Sequence, residues 1–156
     1  MPKKPFFLQG TIMDNLKLGQ NEISDLEVIE VCKKVGIHSD IQKLEKGYYE
    51  LIESGGENFS SGQKQKLGFV RVLLKKADIV LLDEVTSDLD GEAERQICNQ
   101  IEEIAKKAIV LNIAHKPESI RRSKKVFFIQ GGKIVAEGTH KALMKNCVDY
   151  KKIFAN

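Results

Sequence analysis

The 156-residue sequence has little of what marks secreted, metal-bound or membrane-spanning chains. Its three cysteines, Cys32, Cys98 and Cys147, are far apart and include no C-x-x-C pair. They therefore indicate neither a disulfide framework nor a zinc site, and a reducing compartment fits best. No signal peptide is present, and no apolar run approaches the roughly 18 residues of a membrane-spanning helix. A net charge of +3 is too small to indicate nucleic acid as a partner.

The composition that remains is typical of a globular domain, with 42% apolar and 30% charged residues. Apolar runs at residues 79–82 and 108–114 predict two strands, and helical periodicity over 89–104 predicts a long helix between them. A strand, a helix and a strand in this order predict a parallel pair, so the fold class is α/β. The lack of polar residues in 79–82 is typical of a strand covered on both faces.

The segments on either side of this unit are predicted from local signals. Residues 22–54 read mainly as helices, and the stretch 48–56 reads as a loop. A Gly131-Gly132 turn between two short strands predicts a β-hairpin, followed by a short helix that Thr139 caps. A last short helix is predicted over 148–156.

Two carboxylates follow the apolar run at 79–82 directly, namely Asp83 and Glu84. The carboxyl end of a strand faces the crevice where α/β sheets bind ligands. There Asp83 could hold Mg²⁺, and Glu84 could polarise an attacking water as a general base. The alternative is a strand that simply ends in solvated acids.

A second cluster, Ser60-Ser61-Gly62-Gln63, opens a predicted helix. Unpaired N–H groups at a helix N-terminus suit a phosphate, the Ser60 hydroxyl adds a donor, and Gly62 lets the backbone approach closely. The alternative is an ordinary S-x-x-Q capping box. His115 ends the second strand and could reach a phosphate or a water, although a lone histidine is usually structural or exposed.

These clusters point to nucleotide hydrolysis, yet no G-x-x-x-x-G-K-[ST] loop occurs in the sequence. We therefore expect the phosphate-binding loop to lie upstream in a longer polypeptide, and we expect the chain alone not to be a competent ATPase.

In order along the chain, these residues resemble the motifs of the nucleotide-binding domain of ABC transporters, most closely the exporter type. The matching segments are residues 5–16 (after the Q-loop), 59–63 (signature), 79–84 (Walker B), 87–90 (D-loop), His115 (switch histidine) and 131–140 (C-terminal hairpin). The resemblance implies part of a P-loop NTPase core of the ABC ATPase type, with parallel strands, a helical subdomain and a C-terminal β-hairpin. Residues 1–13 would follow the Q-loop, 14–76 would form the helical subdomain with the signature, and 77–156 would belong to the catalytic core. The resemblance also implies that one face of the sheet is uncovered in this chain, since the helix after the phosphate-binding loop normally packs there. The resulting apolar patch should favour self-association.

In that family two nucleotide-binding domains enclose two ATP molecules head to tail. The resemblance implies that the signature residues 60–63 bind, in trans, the nucleotide held by the partner domain. It implies that Asp83 binds Mg²⁺ and that Glu84 and His115 are catalytic, all three in cis. Asp88 of the D-loop would bridge the two sites.

The same resemblance implies ATP and Mg²⁺ as cofactors and two partners, a second nucleotide-binding domain and the transmembrane domain of the transporter. ATP hydrolysis would drive transport of a substrate across the membrane, and the chain would lie at the cytoplasmic face of that membrane. Residues 14–76 would pass the motion to the membrane helices, with 48–57 as the candidate contact.

Two positions depart from the family pattern. Lys3 stands where the Q-loop glutamine is expected, and an ammonium cannot bind Mg²⁺ as an amide oxygen does. Ser61 replaces the usual first glycine of the signature. These departures leave open a non-catalytic module that completes a partner's ATP site. A second alternative is the C-terminal lobe of a DNA-repair or chromosome-structure ATPase, although no basic patch with aromatic residues indicates nucleic acid.

Overall fold

The computed structural model describes residues 1–20 and 22–154. Contacts divide the chain into two compact units, Met1–Ala114 and His115–Asn156. Among the described residues, no helix combines the length and the apolar character needed to cross a membrane.

The first unit combines a group of helices with two pairs of strands, and two short 3-10 turns lie at Gly47–Tyr49 and Ser54–Gly56. Its elements in chain order are β1 (Gly10–Thr11), α1 (Ile12–Lys17), α2 (Asp25–Val35), α3 (His38–Gln42), β2 (Leu51–Ile52), α4 (Ser61–Lys75), β3 (Ile79–Asp83), α5 (Gly91–Ile104) and β4 (Ile109–Ile113).

Helix α2 packs against both α4 and α5 at the centre of this unit. Val28, Cys32 and Val35 recur at helical spacing, and each is fully buried. Gly36 ends the helix in the left-handed conformation, with φ 72°, which glycine adopts readily. A Cβ on Gly36 would also lie only 2.1 Å from Oε1 of Gln96, so the helix end packs closely against α5.

Strands β3 and β4 are parallel, in register from Ile79 opposite Ile109 to Asp83 opposite Ile113, which confirms the predicted strand–helix–strand unit. Val80 and Leu82 belong to the core. Because strand side chains alternate, the intervening residues lie on the other face. That face is apolar and 55–62% exposed, through Ile79, Leu81, Ile109, Leu111 and Ile113.

The expectation that β3 is covered on both faces is therefore wrong for this chain, since only the face with Val80 and Leu82 joins a core. The expectation of an exposed apolar patch on the sheet is confirmed. An uninterrupted apolar run indicates that both faces of a strand can be buried. Which face is covered depends on the elements that pack against it.

A second correction concerns residues 48–56, which the sequence places in a loop. Leu51 and Ile52 form the short strand β2, which pairs antiparallel with β1 through Gly10 and Thr11. Ile52 is almost fully buried, so this strand attaches the loop to the core.

Within residues 115–154 the second unit has the four elements expected from its sequence and one helix, α6 (Pro117–Arg121), that the sequence analysis did not predict. The expected elements are β5 (Val126–Gln130), β6 (Lys133–Gly138), α7 (His140–Asn146) and α8 (Val148–Phe154). Strands β5 and β6 form the predicted hairpin, and Gly131 and Gly132 turn it with φ values of 57° and 75°. The side chain of Thr139 accepts the N–H of Ala142 and caps α7 as predicted. Residues 155–156 of the predicted last helix lie outside the described residues.

Candidate functional site

The two carboxylates of the sequence analysis lie where β3 ends. Asp83 is the last residue of the strand, and Glu84 follows with φ 48°, a left-handed conformation that non-glycine residues seldom adopt. The N–H of Glu84 donates to the carbonyl oxygen of Ile113 at 2.9 Å, and its own carbonyl accepts the N–H of Ser87 at 3.1 Å. The chain thus turns sharply at the carboxyl edge of the sheet, as at other α/β ligand sites.

Lys3 forms an ion pair with Glu84. The N–H of Asp83 donates to the carbonyl oxygen of Met1 at 3.0 Å, so the first residues run beside the end of β3. The side chain of Glu84 is only 17% exposed, and that of Lys3 is 49% exposed. The hydrogen bond that Lys3 donates to Glu84, followed by the negative charge of Glu84, raises the pKa of the Lys3 ammonium. Lys3, which the sequence analysis places where the Q-loop glutamine is expected, is therefore held beside Glu84, the candidate general base.

Helix α4 begins with the predicted capping box. The hydroxyl oxygen of Ser60 accepts the N–H of Gln63 at 3.2 Å, and Oε1 of Gln63 accepts the N–H of Ser60 at 3.0 Å. Ser60 and Ser61 are exposed, whereas Gly62 and Gln63 are half-buried. As an acceptor in the cap, the Ser60 hydroxyl keeps its own proton for donation to a ligand.

The start of α4 and the turn after Glu84 form one shallow pocket of about 420 Å³. The pocket is lined by Asp40, Ser60, Ser61, Gly62, Gln63, Lys66, Asp88, Leu89, Asp90 and Ala93. It therefore brings all four predicted signature residues together with the predicted D-loop residue Asp88. A Cβ on Gly62 would lie 3.2 Å from the carbonyl oxygen of Asp88, so a larger side chain here would push against the D-loop backbone.

The polar side chains around this pocket differ in the hydrogen bonds that they make. A carboxylate oxygen of Asp90 accepts the N–H groups of Glu92 and Ala93 and thereby caps α5. Nζ of Lys66 donates to the carbonyl oxygen of Gly36 at 3.1 Å. The N-terminus of the 15-residue helix α4 adds partial positive charge, which favours an anion in this pocket.

Sequence reasoning gave no role to Gln65, although its side chain is among the most buried of the polar ones, at 1% exposure. Its amide nitrogen donates to Oγ of Ser87 at 2.9 Å and contacts the carbonyl oxygen of Glu84 at 3.4 Å. Its amide oxygen accepts the N–H of Asp88 at 3.2 Å. Gln65 stands four residues before the buried Phe69, so a polar residue on the buried face was the signal in the sequence. Asp40 was missed because it lies on α3 and reaches the pocket only through the packing of the helices. Lys66 lies on α4 one turn after Gly62, so helical spacing was the signal that could have found it.

His115 is the first residue of the second unit and is exposed, after β4 and before α6. Its role toward a phosphate stays a prediction.

The residues present fit Mg²⁺ only in company with a phosphate ligand. Within residues 1–20 and 22–154, no three His, Cys, Asp or Glu side chains are grouped to hold a metal ion by themselves. Mg²⁺ usually binds one or two carboxylates together with substrate phosphates and waters. Asp83 at the strand end is the residue that would supply the carboxylate for such a site.

Comparison with known proteins identifies the family. The model of the ABC transporter family matches residues 3–87. The ABC multidrug transporter MDR2 of Trichophyton rubrum is 36% identical over 154 residues, which is 97% of this chain and 11% of that protein. The glutathione/L-cysteine transport system ATP-binding/permease protein CydD of Bacillus subtilis is 32% identical, over 97% of this chain and 26% of that protein.

A solved structure of a bacterial Atm1-family ABC exporter with ATP bound superposes with a TM-score of 0.93 at 28% identity, covering 99% of this chain and 27% of that one. The chain belongs to the ABC transporter family. It corresponds to a portion of an exporter-type nucleotide-binding domain, and the predicted α/β fold class is confirmed. The chain spans about a tenth of the fungal relative's length and about a quarter of the bacterial ones.

Proposed function

We propose that this chain contributes the signature, Walker B and D-loop parts of an ATP-hydrolysing domain in an ABC exporter. The observation that carries the proposal is the pocket in which the start of α4 meets Asp88, one turn away from the carboxylates that end β3. A phosphate-binding loop, which this sequence does not contain, would come from another part of the protein. The exporter with bound ATP that shares this fold supports the assignment.

The pocket at α4 would act in trans, on ATP held by a second nucleotide-binding domain. The N–H groups of the first helical turn and the hydroxyl of Ser60 would donate to the γ-phosphate. Gly62 keeps the backbone accessible, and Asp88 would meet the partner domain from the opposite wall. Ser61 adds a second exposed hydroxyl where the family pattern has a glycine.

The end of β3 would act in cis, on ATP held by the same domain. Asp83 would hold Mg²⁺, which supplies charge neutralisation for the phosphates. The carboxylate of Glu84 would accept a proton from the attacking water, and His115 would contact the γ-phosphate. Holding Glu84 in a fixed turn restricts where its carboxylate can point, which favours one position for the water.

The remaining parts of the proposal concern the assembly. Residues 14–76 would form the helical subdomain that couples to the transmembrane domain, with 48–57 as the candidate contact. Closure of two nucleotide-binding domains around ATP, followed by hydrolysis, would move that subdomain and drive substrate transport. The chain would work at the cytoplasmic face of the membrane.

The test replaces Glu84 by Gln in the full-length transporter. We expect E84Q to bind ATP with unchanged affinity and to lose steady-state turnover, because an amide cannot accept the proton. The matched control is E103Q, which also removes a Lys–Glu contact, between Glu103 and Lys106, but far along α5. Undiminished turnover in E84Q would remove Glu84 from the base role.

One observation favours a second candidate, a non-catalytic chain that only completes a partner's ATP site. Lys3 pairs with Glu84 and could keep that carboxylate from a water. In that case E84Q would leave the turnover of the assembled transporter unchanged, whereas a substitution of Gly62 in the trans pocket would reduce it. The two candidates thus give opposite results for E84Q.

A further inference from the structure

The buried amide of Gln65 sits between the two parts of the site that the proposed function assigns to different ATP molecules. Gln65 lies on α4, two residues after the last signature residue, Gln63, and its side chain is 1% exposed. It reaches the turn that follows Glu84, about twenty residues further along the chain, rather than any neighbour on its own helix.

The orientation of this amide follows from its partners. The N–H of Asp88 can only donate, so the amide oxygen of Gln65 must face it, at 3.2 Å. The amide nitrogen then points toward Oγ of Ser87 at 2.9 Å and the carbonyl oxygen of Glu84 at 3.4 Å. One side chain thereby contacts the first residue of the turn and two residues of the D-loop.

The turn that Gln65 contacts contains an unfavourable backbone conformation, which neighbouring groups must stabilise. Glu84 adopts φ 48°, and left-handed conformations of non-glycine residues persist when the surroundings hold them. The backbone of Glu84 is held by Ile113 on one side and by Ser87 on the other. Gln65 adds a third contact, and it is the one that comes from the helix carrying the signature.

We propose that Gln65 is a positioning residue for hydrolysis: its buried amide fixes the turn that aims the Glu84 carboxylate and joins that turn to the signature helix. A shift of α4, whose first residues face the partner's ATP, is then transmitted to the carboxylate that acts on the chain's own ATP. The backbone of Gly62 lies so close to the D-loop that a Cβ there would be 3.2 Å from the carbonyl oxygen of Asp88, so the helix start packs directly on the D-loop. This inference rests on the proposed function, since it needs Glu84 to act on water.

The test measures ATP turnover and nucleotide-driven closure in the full-length transporter. Gln65→Leu has a similar volume and removes the three polar contacts. Ser87→Ala leaves the helix untouched and removes one partner of Gln65, together with the 3.3 Å hydrogen bond that the Ser87 hydroxyl donates to the Asp88 carboxylate. We expect both to lower kcat, Gln65→Leu by roughly 10- to 100-fold as for a small misplacement of a catalytic group, with KM for ATP nearly unchanged. Ser87→Thr retains the hydroxyl and should recover most of the kcat lost in Ser87→Ala.

Two comparisons separate positioning from loss of stability and from failure of the proposed function. Val28→Ala removes volume from the fully buried face of α2 and should lower the melting temperature while leaving kcat near the parent value. If Gln65→Leu does not fold, Gln65→Glu takes its place beside the Ser87→Ala and Ser87→Thr pair, because it keeps an acceptor oxygen for the N–H of Asp88 and loses the amide donor to Ser87. Normal kcat in Ser87→Ala together with lost turnover in E84Q would overturn the role of Gln65 alone. Full turnover in E84Q would overturn the proposed function and this inference with it.

Discussion

The left-handed backbone at Glu84 predicts that glycine gives a more stable protein than alanine at this position, which is the reverse of their order inside a helix. With φ at 48°, a Cβ crowds the following carbonyl, which costs roughly 1–2 kcal/mol in L-residues. Glycine has no such crowding, but it loses about 0.5–1 kcal/mol more entropy on folding. The difference leaves Glu84→Gly more stable than Glu84→Ala by about 0.5–1 kcal/mol.

The comparison of these two variants removes other effects of the substitution. Both lose the contact with Lys3, and both lose the same side-chain burial beyond Cβ, so neither enters the difference. The matched control is the pair Arg95→Ala and Arg95→Gly, at an exposed position inside α5. There glycine should be the less stable by about 1 kcal/mol, as in any helix interior.

The assay is urea unfolding of the 156-residue variants, followed by circular dichroism at a fixed protein concentration. With a slope of about 2 kcal/mol per molar urea, the Glu84 pair should differ by roughly 0.3–0.5 M in midpoint, with glycine higher. The Arg95 pair should differ by about 0.5 M with alanine higher. A Glu84 pair with the same sign as the Arg95 pair would show that the turn is not left-handed in solution.

Three further predictions use other parts of the molecule. Leu81→Lys combined with Leu111→Glu places opposite charges at paired positions of the exposed sheet face. The double variant should therefore sediment as a smaller species and bind less hydrophobic dye than the parent chain. Equal self-association of the variant and the parent would exclude this face as the cause of self-association. Burial raises the pKa of the Cys32 thiol to about 11, so a thiol reagent at neutral pH should modify the half-exposed Cys147 well before Cys32. Mass spectrometry gives the order of modification. If Cys32 were modified first, the buried position of Cys32 on α2 would be contradicted. Lys3→Gln removes a cation that lies beside the carboxylates at the end of β3 and that would repel Mg²⁺. The Mg²⁺ concentration for half-maximal ATP turnover in the full-length transporter should therefore fall. An unchanged Mg²⁺ dependence would show that the ammonium does not oppose the metal.

Several elements of the fold could be predicted because the interactions that form them are local. The capping box joins Ser60 and Gln63 within one helical turn, and Gly131-Gly132 supplies the positive φ values of the hairpin turn. The parallel pairing of β3 and β4 followed from the helix between them, because a crossover of that length returns the chain in the same direction.

What only the tertiary structure decided depends on residues that are distant in the sequence. Lys3 meets Glu84 because the first residues run beside β3, and Leu51 and Ile52 become a strand only because Gly10 and Thr11 lie next to them. No propensity of glutamate predicts a left-handed turn at residue 84; it follows from contacts on several sides.

The pocket and the role of Gln65 belong to the same class. The types and spacing of residues 60–63 and 83–88 were enough to predict a kind of chemistry, because the residues of each cluster are neighbours in the sequence. The meeting of the two clusters required α4 to pack beside the D-loop, with the amide of Gln65 and the bare backbone of Gly62 at the contact. Local patterns thus determined the parts of the site, and long-range packing determined how they are joined, since only packing brings N–H groups and carboxylates from separate segments within hydrogen-bonding distance.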